Sequence, residues 1–403
     1  MAYATTSEVR ARMRNERKKR GWDIPRMARE LREAAEYPHK MPTMQSFQRY
    51  IERWEQGDVV RISERYRILY ATALSMSEDE LFGTGPSERP VPAPSDGDVE
   101  AIRAMLTALM ASDRQFGGAL VRTQATHYLT SVIEPRLRGH APDRLRHRLF
   151  SVSTEFTMRV SAMHLDTDLP AEALGLLGRA SSMANESGDI TLTAWVLSRR
   201  GEHELHLATL ASRPAQRKSH VDQALAYTEG AVGVARAAPP VGRAFLTTKH
   251  ALACSMTGHR ANTERILRTI WDSYERAGTA EEPDWMGAYG WGHLRHEESR
   301  CYVNLGMGRE AVRAAEEALE VRSDLRPRAF TLGVLAMGHT LMHEVDQACQ
   351  VAHELVASAG HISSRRICVR LNEVLRALDP YSEERAVAEL REAARPVLQA
   401  CRG

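Results

Sequence analysis

Side chains able to bind nucleic-acid bases are concentrated on one predicted helix near the N-terminus. Met44, Phe47, Ile51 and Trp54 are spaced i, i+3, i+7 and i+10, which predicts a buried stripe on a helix that Thr43 can cap. The opposite side carries glutamine and arginine, the side chains that form paired hydrogen bonds with adenine and guanine edges in the major groove. The predicted base-contacting residues are Thr43, Gln45, Ser46, Gln48 and Arg49.

Basic side chains flank this helix. Residues 10–20 hold seven Lys and Arg against a single acid, Glu16. Such a run is typical of a surface that contacts phosphates and also of a solvated helix face, and composition alone does not decide between them. Phosphate contacts would set the affinity and its salt dependence rather than the choice of sequence. The predicted phosphate-contacting residues are Arg53, Lys40, Arg10, Arg14, Arg17 and Lys18.

Large aromatic side chains crowd a second segment, which runs from Trp271 to Trp291 and holds three of the six tryptophans. Aromatic walls with a few polar groups are typical of ligand pockets. The polar side chains that follow would hold a carboxylate or a peptide backbone. Packing of large residues between neighbouring helices is the alternative interpretation. The predicted ligand-binding residues are Trp285, Tyr289, Trp291, His293, His296, Arg300 and Asn304.

Histidine pairs are the remaining feature that suggests site chemistry. His203 and His206, like His293 and His296, are three residues apart, a spacing that places two imidazoles on one helix face. No His-Glu-x-x-His or Cys-x-x-Cys pattern supplies further zinc ligands, and no Gly-rich phosphate loop or Gly-x-Ser-x-Gly segment is present. The sequence therefore predicts no metal, no cofactor and no enzyme activity.

Helix signals dominate the elements that must position these residues. Ala, Leu, Arg and Glu are frequent, whereas alternating β-branched runs are nearly absent, so we predict an all-α protein. Residues 1–82 are predicted to form a helix-turn-helix DNA-binding domain of five short helices. These helices are expected from about Ser7 to Arg20, from Asp23, from Thr43 to about Gln56, from about Ser63, and from Ser77 to Gly83.

A break in composition follows this domain. Four prolines and three glycines in residues 83–98 predict a linker. Two connecting helices are predicted in residues 99–140, from Val99 to Ala111 and from Gly118 to Leu137. Residues 141–403 are predicted to form a repeat domain of about six helix pairs. Because such pairs bury their apolar faces only by stacking, they produce a curved α-solenoid with a concave binding surface.

Two segments resemble known families. Arg53-Trp-Glu-Gln-Gly57, preceded by Arg17-Lys-Lys-Arg-Gly-Trp-Asp23, resembles the XRE (Cro/repressor-like) helix-turn-helix family, and the resemblance is confined to the N-terminal domain. Tyr302-Val-Asn-Leu-Gly-Met-Gly308 and the Ala-rich residues after it resemble the tetratricopeptide pattern. This layout is similar to regulators of the Rgg/PlcR/PrgX type. The resemblance implies that the repeats dimerise, bind a signalling peptide and reposition the paired DNA-binding domains.

The N-terminal segment departs from the XRE pattern at two places. Family members usually begin helix 2 with a Ser-Gln pair whose Gln helps to orient the domain on DNA, and Asp23-Ile24 stands there in this chain. That contact is therefore expected to be absent. Residues 34–43 replace a tight turn, so helix 2, the turn or both are lengthened. Lys40 or His39 in this stretch would add contacts to the DNA backbone.

Composition limits the remaining classes of protein. Of the 403 residues 43% are hydrophobic and 26% charged, and the net charge is +2, with the basic excess in residues 1–82. No apolar run reaches the roughly 18 residues of a membrane helix, and no signal peptide is expected at the start of the chain. Five scattered cysteines do not form a disulfide framework, so a reduced, cytoplasmic protein is expected. Cys301 beside Arg300 is a candidate for a lowered pKa, but a buried apolar role is favoured.

These patterns predict a cytoplasmic, homodimeric regulator of transcription that binds double-stranded DNA and senses a peptide or a small molecule through its repeat domain. The alternative is a tetratricopeptide-type scaffold for protein interactions with a vestigial helix-turn-helix. The high Arg and Ala content suggests a GC-rich genome, such as that of an actinobacterium.

Overall fold

The structure is a computed structural model that describes residues 2–4, 7–35, 41–56, 61–82, 93–278, 280–282, 286 and 289–401. Its residues are helical except for connections and one short pair of strands, which confirms the all-α prediction. The chain divides into two compact units, Met1–Val91 and Pro92–Gly403. No helix in the described ranges is long and apolar enough to cross a membrane.

The N-terminal unit contains five helices in its described part. They are α1 (Ser7–Lys19), α2 (Ile24–Glu33), α3 (Met44–Gln56), α4 (Glu64–Ala73) and α5 (Glu78–Phe82). A two-stranded antiparallel sheet, in which β1 (Ala2–Ala4) pairs with β2 (Arg61–Ser63), was not predicted. Strands of three residues are too short to show an alternating pattern, and this one is held by its buried Ile62.

Local signals set the helix ends of this unit. Gly21 ends α1 with φ at +67°, a conformation that costs glycine little. The Asp23 carboxylate accepts a hydrogen bond of 2.8 Å from the Arg26 amide and caps α2. The Thr43 hydroxyl accepts one of 3.3 Å from the Ser46 amide at the start of α3, as predicted. Helix α2 ends at Glu33, before residues 34–43, which stand in place of the tight turn.

The C-terminal unit begins with α6 (Asp96–Phe116) and α7 (Gly118–Tyr128), followed by a π-helical turn (Leu129–Ile133) and the short α8 (Glu134–Leu137). Helix α6 starts inside the predicted linker and continues past the predicted end at Ala111. The reason for the early start is a capping box: the Ser95 hydroxyl accepts from the Asp98 amide, and the Asp98 carboxylate accepts from the Ser95 amide.

Between residues 143 and 401 the described part of the chain forms six consecutive helix pairs. The first helices of the pairs are α9 (Asp143–Asp166), α11 (Ile190–Leu210), α13 (Pro240–Ser255), α15 (Trp291–Asn304), α17 (Leu325–Leu341) and α19 (Arg365–Ala377). The second helices are α10 (Pro170–Ser187), α12 (Pro214–Val234), α14 (Arg260–Tyr274), α16 (Gly308–Val321), α18 (Val345–Ala359) and α20 (Arg385–Ala400). The first helices pack on one another in order, and each second helix packs on the first helix of its pair.

The array closes on itself where its end meets its beginning. The Ser363 amide donates a hydrogen bond of 2.7 Å to the carbonyl of Phe116, and the Ser364 hydroxyl donates one of 2.6 Å to the Asp166 carboxylate. Gly117 lies in this contact with φ at +91°, and a Cβ there would be 2.5 Å from the Ser363 carbonyl oxygen. Only glycine therefore fits. The closure surrounds an interior lined by the first helices.

The cysteines differ from the expectation of a fully reduced chain. A disulfide joins Cys368 on α19 to Cys401 at the end of α20. The other three cysteines are free and buried. Burial raises the pKa of the Cys301 thiol to about 12, so this residue packs as a small apolar side chain and is not activated by Arg300.

Candidate nucleic-acid interface and ligand cavity

Helix α3 separates its apolar and polar residues onto opposite sides. Phe47, Ile51 and Trp54 are buried in the core of the N-terminal unit. Gln45 and Arg49 are exposed on the other side, as is Arg53 one turn further along. Ser46 and Gln48 are half-buried at the edge of this exposed face, and Thr43 is exposed at its start. The five predicted base-contacting residues thus lie on the first two turns of one helix and at its N-cap.

The hydroxyls of Thr43 and Ser46 lie 3.0 Å apart, and that of Thr43 also caps the helix. The N-cap therefore holds these two side chains in place. A capped helix start presents ordered donors and acceptors, which is what contacts to base edges require.

The predicted phosphate-contacting residues differ in exposure, and Arg53 is exposed on α3. Lys18 and Arg14 are exposed on α1, and the Arg14 guanidinium donates a hydrogen bond of 2.5 Å to the carbonyl of Glu55. This bond places Arg14 beside the last turn of α3. Arg10 is half-buried on α1. Lys40 lies outside the described residues, as does His39.

The structure contradicts the prediction that Arg17 contacts a phosphate. It is buried, and its Nε and Nη2 atoms donate hydrogen bonds of 2.8 and 2.7 Å to the two carboxylate oxygens of Glu55. The Tyr70 hydroxyl donates a third bond of 2.9 Å to the same carboxylate. The hydrogen bond with Glu55 raises the pKa of Arg17, and burial raises the pKa of Tyr70. Arg17 therefore fastens α1 to α3 and is not free to meet DNA.

The second candidate site is a pair of neighbouring cavities in the interior of the helical array. The first has a volume of about 200 Å³ and the second one of about 510 Å³. Tyr289 and His293 line both cavities, His296 and Arg300 line the first, and Trp291 lines the second. Five of the seven predicted ligand-binding residues are thereby brought together at this interior surface.

The other two predictions have different outcomes. Asn304 lines neither cavity: it is exposed at the end of α15, and its side-chain amide donates a hydrogen bond of 2.8 Å to the Ser255 hydroxyl. It serves packing between neighbouring first helices, so its assignment to the ligand site was wrong. Trp285 lies outside the described residues.

Most of the charged side chains that line the first cavity were not predicted from the sequence. Seven cationic side chains and three carboxylates line the first cavity, giving an excess of four positive charges. The sequence indicates these side chains by charged residues that recur on one face of a helix, such as Arg366, Arg370 and Glu373 on α19. The cations of the first cavity are Arg199, Lys249, Arg300, Arg322, Arg326, Arg366 and Arg370.

A buried ion network occupies the centre of the first cavity. The Lys249 ammonium lies 2.8 Å from one Glu297 carboxylate oxygen and 3.6 Å from a Glu202 oxygen. Arg300 lies 3.0 Å from the other Glu297 oxygen. Burial alone would raise the pKa of Glu297, but Lys249 and Arg300 outweigh it and hold this pKa well below its usual range. The carboxylates of this network are ionised, and the cations beside them balance their negative charge.

The histidines of the cavity are neutral. Burial lowers the pKa of His293 to about 3 and holds that of His296 well below its usual range. The His296 ring lies 3.1 Å from the Thr331 hydroxyl, whereas the buried Nε2 of His293 has no hydrogen-bond partner. Within the described residues, no group of three or more His, Cys, Asp or Glu side chains is placed to hold a metal ion.

Aromatic rings form one wall beside these polar groups. Phe245 and Tyr289 stack with ring centres 3.8 Å apart, and Trp195 meets Tyr289 edge-on at 6.2 Å. The Arg159 guanidinium lies 5.0 Å from the Trp195 ring centre and 5.4 Å from that of Tyr289. The wall is therefore a packed aromatic cluster with a cation against it.

Comparison of the whole chain with protein-family models and with curated proteins gave no match.

Proposed function

We propose that this chain is a cytoplasmic, homodimeric regulator of transcription that reads double-stranded DNA through α3 and senses a ligand through its helical array. The observation that carries the proposal is the two-sided character of α3. Its buried residues fix the helix in the unit, while Gln45, Arg49 and Arg53 are exposed together on the other side. This is the arrangement that a recognition helix of the XRE type needs.

The anchoring of α3 supports this assignment. Base contacts discriminate only when the reading side chains are held within about 0.5 Å of their productive positions. Trp54 packs against Tyr66 with ring centres 5.3 Å apart, and Glu55 is bound by Arg17 and Tyr70. Both contacts involve the last turns of α3, so the helix cannot rotate without breaking them.

Gln45 and Arg49 would supply sequence preference. They lie four residues apart on one exposed face, so both can face the same groove. A well-formed paired contact between such a side chain and a base discriminates by about 1–3 kcal/mol. Arg14, Lys18 and Arg53 would contact phosphates and set the register.

The helical array would provide dimerisation and sensing. The layout resembles that of regulators whose repeats respond to a ligand, and the two interior cavities give a ligand a place to bind. Binding would favour one spacing of the paired DNA-binding units, which is the thermodynamic requirement for regulation by a ligand. In a side-by-side dimer the half-sites would lie about one helical turn, or 34 Å, apart.

The proposal is tested with Gln45→Ala and Arg49→Ala in the full chain, on a duplex obtained by selection from a random pool. Each variant should bind that duplex about 5- to 150-fold more weakly, corresponding to 1–3 kcal/mol, and lose preference at one position of each half-site. Arg385→Ala, which removes an exposed arginine from α20, is the control and should bind as the native chain does.

Arg53→Ala should weaken binding to all duplexes alike and reduce the salt dependence by about one phosphate contact. If Gln45→Ala and Arg49→Ala leave specific binding unchanged, the assignment of α3 is wrong. If the native chain binds no duplex but retains one stoichiometric protein partner, the interaction-scaffold function replaces the proposal.

A further inference from the structure

We propose that the second cavity binds a small organic anion, with its carboxylate or phosphate group held by Arg159 and Arg322 and a planar apolar body against Tyr289 and Trp291. This inference deepens the sensing half of the proposed function by naming the chemical class of the ligand. The cavity lies where the closure brings α6 and α9 against the start of α17 and α19.

Half-buried side chains give the second cavity an excess of positive charge. Six cationic side chains line the second cavity against two carboxylates, Asp113 and Asp324. Asp113 is already paired with Arg326, which also binds Asp166 at 3.0 Å. The six cations are Arg114, Arg159, Arg199, Arg322, Arg326 and Arg366.

Arg159 is a half-buried cation of this lining and has no ion pair with a described residue. Its Nε and Nη2 atoms are buried and have no hydrogen-bond partner. Its guanidinium lies against the rings of Trp195 and Tyr289, and it forms no ion pair with a described carboxylate. The carboxylate that acts on it through space, Asp113, is already paired with Arg326. A buried guanidinium with unused donors is costly unless an anion meets it. A guanidinium presents its N–H groups as a planar fork, the geometry that binds a carboxylate or a phosphate through two hydrogen bonds.

Arg322 faces the same cavity with neutral partners. Its Nη1 atom donates hydrogen bonds of 3.0 Å to the Pro327 carbonyl and 2.9 Å to the Thr331 hydroxyl. Its Nη2 atom lies 3.5 Å from the Nδ1 of His293. Burial lowers the pKa of Arg322 to about 10, and the charge of Glu297 offsets only part of this effect. The side chain is thus oriented in advance, and its charge is not neutralised by the protein.

The lining also indicates what accompanies the acid group. Trp291 contributes apolar surface beside Tyr289, whose ring is stacked on Phe245 with the Arg159 guanidinium over it. The volume of about 510 Å³ is in the range of small-molecule sites. The described residues that line the two cavities include no Asn or Gln, the side chains suited to hold a peptide backbone. The observations therefore favour a compact aromatic acid over an extended peptide.

The test measures binding to the full-length protein by calorimetry, without DNA. The probes are phenyl phosphate, benzoate, inorganic phosphate and the uncharged benzamide. Phenyl phosphate or benzoate should bind at least tenfold more tightly than benzamide, and inorganic phosphate more weakly than phenyl phosphate because it lacks the ring. The stronger of the two acids identifies the acid group.

Two variants locate the site. Arg159→Met should weaken binding of the preferred acid at least tenfold while leaving the melting temperature of the unliganded protein unchanged or higher, because a poorly compensated charge is removed. Arg322→Gln should weaken binding to a similar extent. Arg179→Gln, which removes an arginine paired with Glu134 on the outside of the array, is the control and should bind like the native protein.

Equal affinity for benzoate, phenyl phosphate and benzamide would overturn the inference, as would full binding by both cavity variants. Tight binding of a several-residue peptide that Arg159→Met does not affect would also overturn it. Because no DNA is present, these results are independent of whether α3 reads DNA.

Discussion

The substitution Glu55→Ala would break the ion pair that fastens the last turn of α3 to α1. The Arg17 and Glu55 side chains are 9% and 4% exposed, and the carboxylate accepts two hydrogen bonds from Arg17 and one from Tyr70. Removing it leaves a buried guanidinium without an anion and a buried phenol without an acceptor. The loss of one partner from such a pair costs about 3–5 kcal/mol, and we expect the N-terminal unit to lose stability by that amount.

Hydrogen exchange of the α3 amides in the full-length protein measures this loss directly, because it reports the opening of one unit within a larger chain. A loss of about 3–5 kcal/mol should accelerate exchange through opening by roughly 100- to 5,000-fold. Glu52→Ala, which removes an exposed carboxylate from the same helix, is the matched control and should change it by less than tenfold.

The double variant Arg17→Met with Glu55→Leu separates the two costs. Replacing both charges with apolar side chains removes the unpaired cation, so much of the lost stability should return. If Glu55→Ala accelerates exchange by less than tenfold, or if the double variant is as unstable as the single one, the ion pair does not anchor α3 and the reasoning is refuted.

Three further predictions concern the helical array. Because burial lowers the pKa of His293 to about 3, the unfolded chain takes up a proton below pH 6.5 that the folded chain does not. In urea titrations this residue should lower the free energy of unfolding by about 2 kcal/mol between pH 6.5 and pH 5. The variant His293→Gln should lose this contribution to the pH dependence. The substitution Cys401→Ser removes the disulfide to Cys368, which closes a loop of 33 residues, and should lower the free energy of unfolding by about 3–4 kcal/mol in urea titrations. An unchanged midpoint would show that the disulfide does not stabilise the protein. The substitution Gly117→Ala puts a Cβ against the Ser363 carbonyl at a positive φ, which should destabilise this contact by about 1–3 kcal/mol. Hydrogen exchange around residue 363 should therefore become faster. Unchanged exchange there would mean that the closure tolerates a side chain.

Features encoded by neighbouring residues were predictable from the sequence. Gly21 and Asp23 marked the junction of α1 and α2, and the spacing of Phe47, Ile51 and Trp54 gave the buried side of α3. The exposed residues of α3 follow from the same pattern, since a helix that buries one face presents the other. The pairing of successive helices in the array was predictable for the same reason.

Features that depend on distant partners were not predictable. Arg17 belongs to a basic run that looks like a solvated face, and only the fold brings Glu55, 38 positions away, against it. Arg326 and Asp166 show the same limit, since the closure of the array joins residues 160 positions apart. The interior cavities depend on the faces of six first helices together, so no single segment contained the excess of positive charge.

The most direct test of the central claim is selection from a random duplex pool by the purified full-length protein at physiological salt. We expect enrichment of a palindrome whose half-sites lie about one helical turn apart, with Arg49→Ala losing the preference at one position in each half-site. A pool that shows no enrichment with the native chain, with or without the aromatic acid that its cavity prefers, would contradict the account.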